Sequence, residues 1–226
     1  MARNATILNN SPQEYFRDGY DGVMYSGIIG RYSRMVHKII EAPYRGLETP
    51  KILELGAGKG QHREFVRSKY ENYVEMDIDP NLAGPPQDPR VERIVGDATD
   101  LSAFPDGSFD RVIATCLLAH LNDPESALQE WRRVTKHNGA ISIYVPAEPG
   151  MLLRAGRALV VAPKSRRFGQ DHHGVVYRDH RNHYPAMSLL IKQTFQTDDV
   201  SRKRFPLPFL GWNFSIFDIF HIRKKG

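Results

Sequence analysis

The stretch "KILELGAGKGQH", from Lys51 to His62, limits what this chain can fold into more than any other, because a short apolar run breaks directly into glycines at alternate positions. Glycine at a strand end lets the backbone turn and pass close to a ligand with no Cβ in the way. Open α/β sheets bind ligands in a crevice at the carboxyl ends of their strands, so such a turn marks the mouth of one. The spacing separates the candidate ligands. A phosphate-cradling Walker loop requires Gly-Lys-Ser/Thr, yet Gly58-Lys59 is followed by Gly60, and Leu53 stands where the first glycine belongs. A G-x-G-x-x-G dinucleotide fingerprint counted from Gly56 needs a third glycine where Gln61 stands. The pattern left standing is E-x-G-x-G-x-G, from Glu54 through Gly56 and Gly58 to Gly60.

Four further segments, "NYVEMDI", "RVERIVGD", "FDRVIATCLL" and "GAISIYVP", read as strands. "QHREFVRSKY" reads as a helix after the first strand. "DPESALQEWRRVTKHNG" reads as a helix before the fifth, with Asp123 as cap, Pro124 in the first turn and Asn-Gly as the stop. Strands alternating with helices imply a parallel sheet covered on both faces. "TDDVSRKRFPLP" and "NFSIFDIFHI" have strand composition and no helix between them, which predicts an antiparallel hairpin at the sheet edge. Ahead of the sheet, the segment from Pro12 to Tyr44 reads as one or two tyrosine-rich helices. The expected architecture is α/β: a Rossmann-like, doubly wound, seven-stranded and mostly parallel sheet with a C-terminal antiparallel hairpin and an N-terminal helical cap. Residues 1–45 are assigned to the cap or lid and 46–226 to the core, with an insertion at about 147–196.

In this setting the glycine motif resembles the first motif of the class I S-adenosylmethionine-dependent methyltransferases. The resemblance extends through "VEMDIDP", "GDATDL" and "FPDGSFDRVIATCLLAHLNDPESALQEWRRVTKHNGAISIYVP", and so covers Lys51 to Pro146. It implies S-adenosylmethionine as cofactor and a binding set of Glu54, Gly56, Ala57, Gly58, Gly60, Asp77, Ile78, Asp97, Ala98 and Thr115. By that resemblance Asp77 accepts hydrogen bonds from the two ribose hydroxyls, and Asp97 takes the exocyclic amine of adenine. Glu54 sets a negative charge beside a cationic ligand. Asp97 has a second reading, because aspartate before a turn often caps the next helix. Lys59 either faces solvent or meets the cofactor carboxylate.

Family motifs leave the methyl acceptor open, since sites grafted onto one fold differ freely. Transfer to a hydroxyl needs a base, and histidine suits that work near neutral pH, with activity rising through an ionisation near about 6.5. His120 in "CLLAHL" follows the fourth strand, at the rim. "QDHHGVVYRDHRNHY" concentrates Asp171, His172, His173, Asp179, His180 and His183 in the insertion, where the resemblance puts acceptor recognition. The catalytic candidates are therefore His183, His180 and His120. An acceptor site, a divalent-metal site and a capped turn of solvated histidines all remain open for this segment. His180 and His183 lack a Cys or Glu partner at zinc spacing, so no metal is expected.

The lone Cys116 rules out an intrachain disulfide framework and reads as a small buried thiol. No apolar run approaches membrane-spanning length and no signal-peptide h-region opens the chain, so a cytoplasmic protein is expected. "PGMLLRAGRALVVAPKSRRFG" reads as a helix packing leucine and valine on the sheet with arginine outward, and a weak membrane-surface contact is open to it. The tyrosines Tyr15, Tyr20, Tyr25 and Tyr32 read as staples of the cap or as a lid that dries the site. The net charge of +5 allows acidic partners without requiring them, and without an RNA-binding module nucleic acid is not an expected partner. The expected function is methylation of a small polar acceptor, foremost a hydroxyl of a sugar or secondary metabolite. Alternatives are a lipid or quinone-type acceptor at a membrane surface, or a nucleic-acid-modifying role. A homodimer is allowed.

Overall fold

The structure is a computed structural model that describes residues 20–81, 84–169 and 171–226; Tyr15 lies outside the described residues, as does the side chain of His173. A seven-stranded sheet with order β3-β2-β1-β4-β5-β7-β6 runs through the molecule. The strands are β1 Lys51–Leu55, β2 Asn72–Asp77, β3 Val91–Val95, β4 Phe109–Thr115, β5 Thr135–Pro146, β6 Asp199–Phe205 and β7 Phe217–Arg223. β1 to β5 pair in parallel, and β7 enters antiparallel between β5 and β6. This is the mixed sheet with a terminal hairpin that the sequence predicts.

Alternation along the strands gives the sheet two unlike faces. Leu53, Leu55, Val112, Ala114, Ile141 and Ile143 point to one side and build the main core. Two helices cover them, α3 (Pro124–Val134) and α7 (Tyr184–Thr194). In α3 the buried residues Ala127, Leu128, Trp131 and Val134 recur at helical spacing, and Asp123 caps the helix by accepting from the Ser126 amide at 3.0 Å. Each large apolar side chain buried this way contributes about 1.5–3 kcal/mol. The opposite side carries Ile52 and Ile113 together with buried Glu54, Glu75, Arg111 and Ser142. It is covered by α2 (Gly27–Glu41), whose Val36 and Ile40 pack on Phe217 and Ile219, and by the segment after the glycine loop. The short α1 (Tyr20–Met24) precedes α2.

Three local expectations are corrected. "QHREFVRSKY" forms turns and a single 3-10 turn, Arg63–Phe65, rather than an α-helix. Its buried residues His62, Phe65 and Ser68 fall every third position, and polar bonds to the cap and to β2 hold it, so no amphipathic α-helical stripe exists. α3 stops at Val134, because Thr135 already pairs with Phe109 of β4; Asn138, at φ 60°, makes a turn within β5 instead of ending the helix. The basic helix of the insertion runs as α4 (Met151–Gly156), a π-helical stretch Arg157–Val161, and α5 (Ala162–Arg167). Its expected orientation holds at buried Leu153 and exposed Arg154, Arg166 and Arg167, but is reversed in the π-helical stretch: Leu159 is 78% exposed and Val160 46%, while the Arg157 side chain is only 16% exposed. An acid, Glu148, draws that arginine inward. A further helix, α6 (His172–Asp179), leads into α7.

Candidate functional site

The glycine loop closes the carboxyl end of β1 in left-handed conformations that side chains disfavour. Gly56 has φ +64°, and a Cβ there would lie 2.9 Å from Leu117 Cδ1; Gly60 has φ +78°, and a Cβ there would overlap Glu75 Oε1. The Gly58 amide donates to Asp77 Oδ2 at 2.9 Å, and the Asp79 amide donates to Oδ1 at 3.1 Å. Asp77 thus ties the β1 and β2 loops together at the mouth of a cleft of about 300 Å³, lined by Ala57, Gly58, Asp77, Asp79, Pro85 and Val95 among others. Ile78 beside it is 70% exposed, an apolar surface that fits a flat base. Ala98 is buried and its carbonyl accepts from Trp131 Nε1 at 2.9 Å, while Asp97 Oδ1 accepts from the Thr99 amide at 2.9 Å. Glu54 is buried under the loop and accepts from the Tyr73 hydroxyl at 2.7 Å; burial pushes its carboxyl up to about 7. Backbone passage without Cβ atoms, an acid at each strand end and an apolar rim are a donor set that fits an adenosine-bearing, cationic ligand. Lys59 pairs with Asp21 of α1 at 2.8 Å, and Gln61 donates to the same carboxylate at 2.9 Å, so the cap holds the loop from outside.

The histidine candidates separate in space. Thr115 ends β4, and Cys116 follows at φ 62°. His120 and His180 meet edge to face with ring centroids 4.5 Å apart, and one donor atom each from Cys116, His120 and His180 lie within 4.8 Å of one another. His183 instead stands at the start of α7, is exposed, and lies outside that group. His180 Nδ1 donates to Glu148 Oε2 at 2.5 Å, and the other Glu148 oxygen is ion-paired with Arg157. Burial, then Arg157 and His183, push His180 down to about 3, and burial does the same to His120. Burial raises the Cys116 thiol to about 11. The group lies next to the glycine loop, since Leu117 is the residue that Gly56 would strike. Arg157 also acts electrostatically on Tyr32 and Tyr144, which border this side. Sequence reasoning missed Glu148 and Arg157. The available signal was position: "VPAEPG" sets an acid just beyond the carboxyl end of β5, the edge where such sheets bind ligands.

A second histidine pair lies beneath α2. His62 Nε2 donates to Glu41 Oε1 at 2.8 Å, which leaves His62 Nδ1 to accept from His37 Nδ1 at 2.8 Å and His37 Nε2 to accept from the Tyr25 hydroxyl at 2.8 Å. Arg111 of β4 grips both Glu41 oxygens, at 2.8 and 2.6 Å. Burial, reinforced by His62, keeps His37 neutral, down to about 3.

A Rossmann-like sheet with a terminal hairpin, opening at the β1 and β2 loops, places this protein among the open α/β folds that bind ligands at the carboxyl ends of their strands. Residues 53–143 match the methyltransferase domain family, and the fold is that of S-adenosylmethionine-dependent methyltransferases. Demethylmenaquinone methyltransferases from Renibacterium salmoninarum and Paenarthrobacter aurescens are each 30% identical, over 56% and 62% of this chain and 52% and 53% of their own lengths. The chain thus spans about half the length of the curated relatives it matches. Among solved structures, a SAM-dependent methyltransferase from Thermotoga maritima superposes with TM-score 0.57 at 19% identity, covering 89% of this chain and 99% of its own. A protein from Pyrococcus horikoshii reaches 0.61 at 18%, covering 94% and 99%. These likenesses show the fold. No helix among the described residues is long and apolar enough to cross a membrane.

Proposed function

We propose that this protein transfers a methyl group from S-adenosylmethionine to a small aromatic acceptor bearing an acidic hydroxyl, of the quinol type. S-adenosylmethionine, when bound, supplies an electrophilic methyl whose leaving group is a neutral thioether. The glycine loop and Asp77 would hold the cofactor's ribose side, Ile78 and Ala98 its base, and Asp97 the exocyclic amine. The observation that carries the acceptor reading is the Glu148–His180 pair facing His120 and Cys116 beside the glycine loop. His180, neutral and oriented by Glu148, accepts the hydroxyl proton; His120 packs against it and fixes its ring. Tyr32, Tyr144 and Leu117 lend this side aromatic and aliphatic surface, which suits a flat ring better than a sugar, and the named activity of the curated relatives points the same way.

The test is incubation of the protein with methyl-labelled S-adenosylmethionine and, in parallel, a demethylated naphthoquinol and a panel of sugars. Label in the quinol product and none in the sugars is expected. Label in a sugar alone overturns the acceptor class and returns the expectation drawn from the sequence.

A further inference from the structure

We propose that Cys116, His120 and His180 form a three-ligand site for a zinc-class divalent cation, with a fourth position left for the acceptor's oxygen. The expectation of no metal rested on sequence spacing, in which His180 finds no cysteine nearby. The fold supplies the missing partners from the other side of the site, at the end of β4. Their donor atoms lie within 4.8 Å of one another. Tetrahedral zinc, with bonds of about 2.0–2.3 Å, places its donors about 3.3–3.7 Å apart, so the residual gap of roughly 1 Å is closed by side-chain rotation. A thiol, two imidazoles and an open position form a ligand set suited to a borderline-soft dication.

Two further observations point to a ligand. Cys116 sits at φ 62°, a left-handed conformation disfavoured for a residue with a side chain, at the strand end next to the cofactor loop. The second is the support of the imidazoles. Glu148 Oε2 accepts the hydrogen bond from His180 Nδ1 at 2.5 Å, leaving Nε2 as the ligating nitrogen, and the His120 ring bonds the backbone of Asp179. Carboxylate and backbone acceptors behind metal-bound histidines fix their tautomer and raise their basicity. The charges are consistent as well. Thiolate and Glu148 offset the dication, and Arg157, paired to Glu148, leaves a single positive charge for an anionic acceptor oxygen to neutralise. The inference deepens the proposed function and rests on it only for the fourth position: with a cation bound, coordination replaces His180 in drawing off the hydroxyl proton.

The experiment is titration of the metal-stripped full chain with cobalt(II) and then zinc(II), followed by absorbance. One equivalent of cobalt should bind and give tetrahedral d–d bands with a thiolate-to-metal charge-transfer band, and zinc should displace it. Cys116→Ser should abolish the charge-transfer band. His180→Gln should lower affinity at least tenfold, and Glu148→Gln ten- to a hundred-fold. His137→Ala, at an exposed position of β5, should change nothing. Circular dichroism checks that each variant is folded, and Cys116→Ser, the smallest change, keeps the test decisive if a histidine variant is not. Absence of stoichiometric binding, or a spectrum unchanged by Cys116→Ser, overturns the site. Calorimetry with S-adenosylhomocysteine on the same samples separates this outcome from failure of the cofactor reading. Labelled transfer to the quinol by metal-free protein would retain the proposed function while removing the cation.

Discussion

The two buried histidine pairs are built from the same residue type and serve opposite ends. In the His37–His62 pair each bond fixes the next, from Tyr25 through both rings to Glu41 and Arg111. Every ring nitrogen in that chain is taken up within it, and it fastens α2 to the sheet. In the His120–His180 pair the orienting bonds come from behind, from Glu148 and the Asp179 backbone, while the rings converge with a thiol at the mouth of the sheet. Burial lowers the basicity of His37, His120 and His180 alike. On the proposed function, the position of the acceptors, rather than burial, divides a structural histidine from a functional one here.

That division is broken or sharpened by four measurements, given from the largest effect down. His180→Ala should cut turnover by about 10²- to 10⁴-fold while cofactor affinity holds, whereas exposed His183→Ala should stay near wild type; equal loss in both would erase the distinction. Arg111→Ala should cost about 3–5 kcal/mol in urea denaturation, because it strands Glu41 without its cation in a buried site, and an unchanged midpoint would show that α2 is not fastened this way. Asp77→Ala should weaken S-adenosylhomocysteine binding by about 2–3 kcal/mol, roughly thirty-fold or more, in calorimetry. The smallest effect concerns pH. Unfolded histidines take up protons below about 6.5, whereas folded His37, His120 and His180 stay neutral down to about 3. The unfolded state therefore binds more protons in that window, so stability is full above about 6.5 and declines as pH falls. A urea midpoint at pH 5 equal to that at pH 7 would contradict it. The same burial removes the sequence-based expectation of an activity step near about 6.5 from His180.

The glycine loop and its flanking strand ends were legible because their pattern is local. Glu54 to Gly60, Asp77 and Asp97 each sit within a few residues of a strand end, so a short motif carries both the turn and its position. α3 was legible for the same reason, from Asp123, Pro124 and a clean apolar stripe. The segment from Gln61 to Tyr70 misled, since its apolar and polar residues mimic a helix while its bonds run to residues of α2 and β2 that no local pattern reveals. The cluster of Cys116, Glu148, Arg157 and His180 was illegible for the strongest form of that reason: its members come from four separate segments, and only the fold joins them. Arg157 reads as a surface residue until Glu148 is seen beneath it.

The grip of Arg111 on Glu41 joins residues 70 positions apart, and this bears on the order in which the molecule can assemble. During synthesis α2 emerges well before β4, so its Glu41 and the two histidines must wait for their cation. Until β4 is laid down beside β1, the cap has no ionic anchor on the sheet; once it is, the sheet carries a bare guanidinium on one face until α2 lands. Neither half is comfortable alone. Closing so long a loop carries an entropic penalty ahead of any reward, which makes docking of the N-terminal helix a late step and makes a fragment lacking that helix prone to remain unfinished.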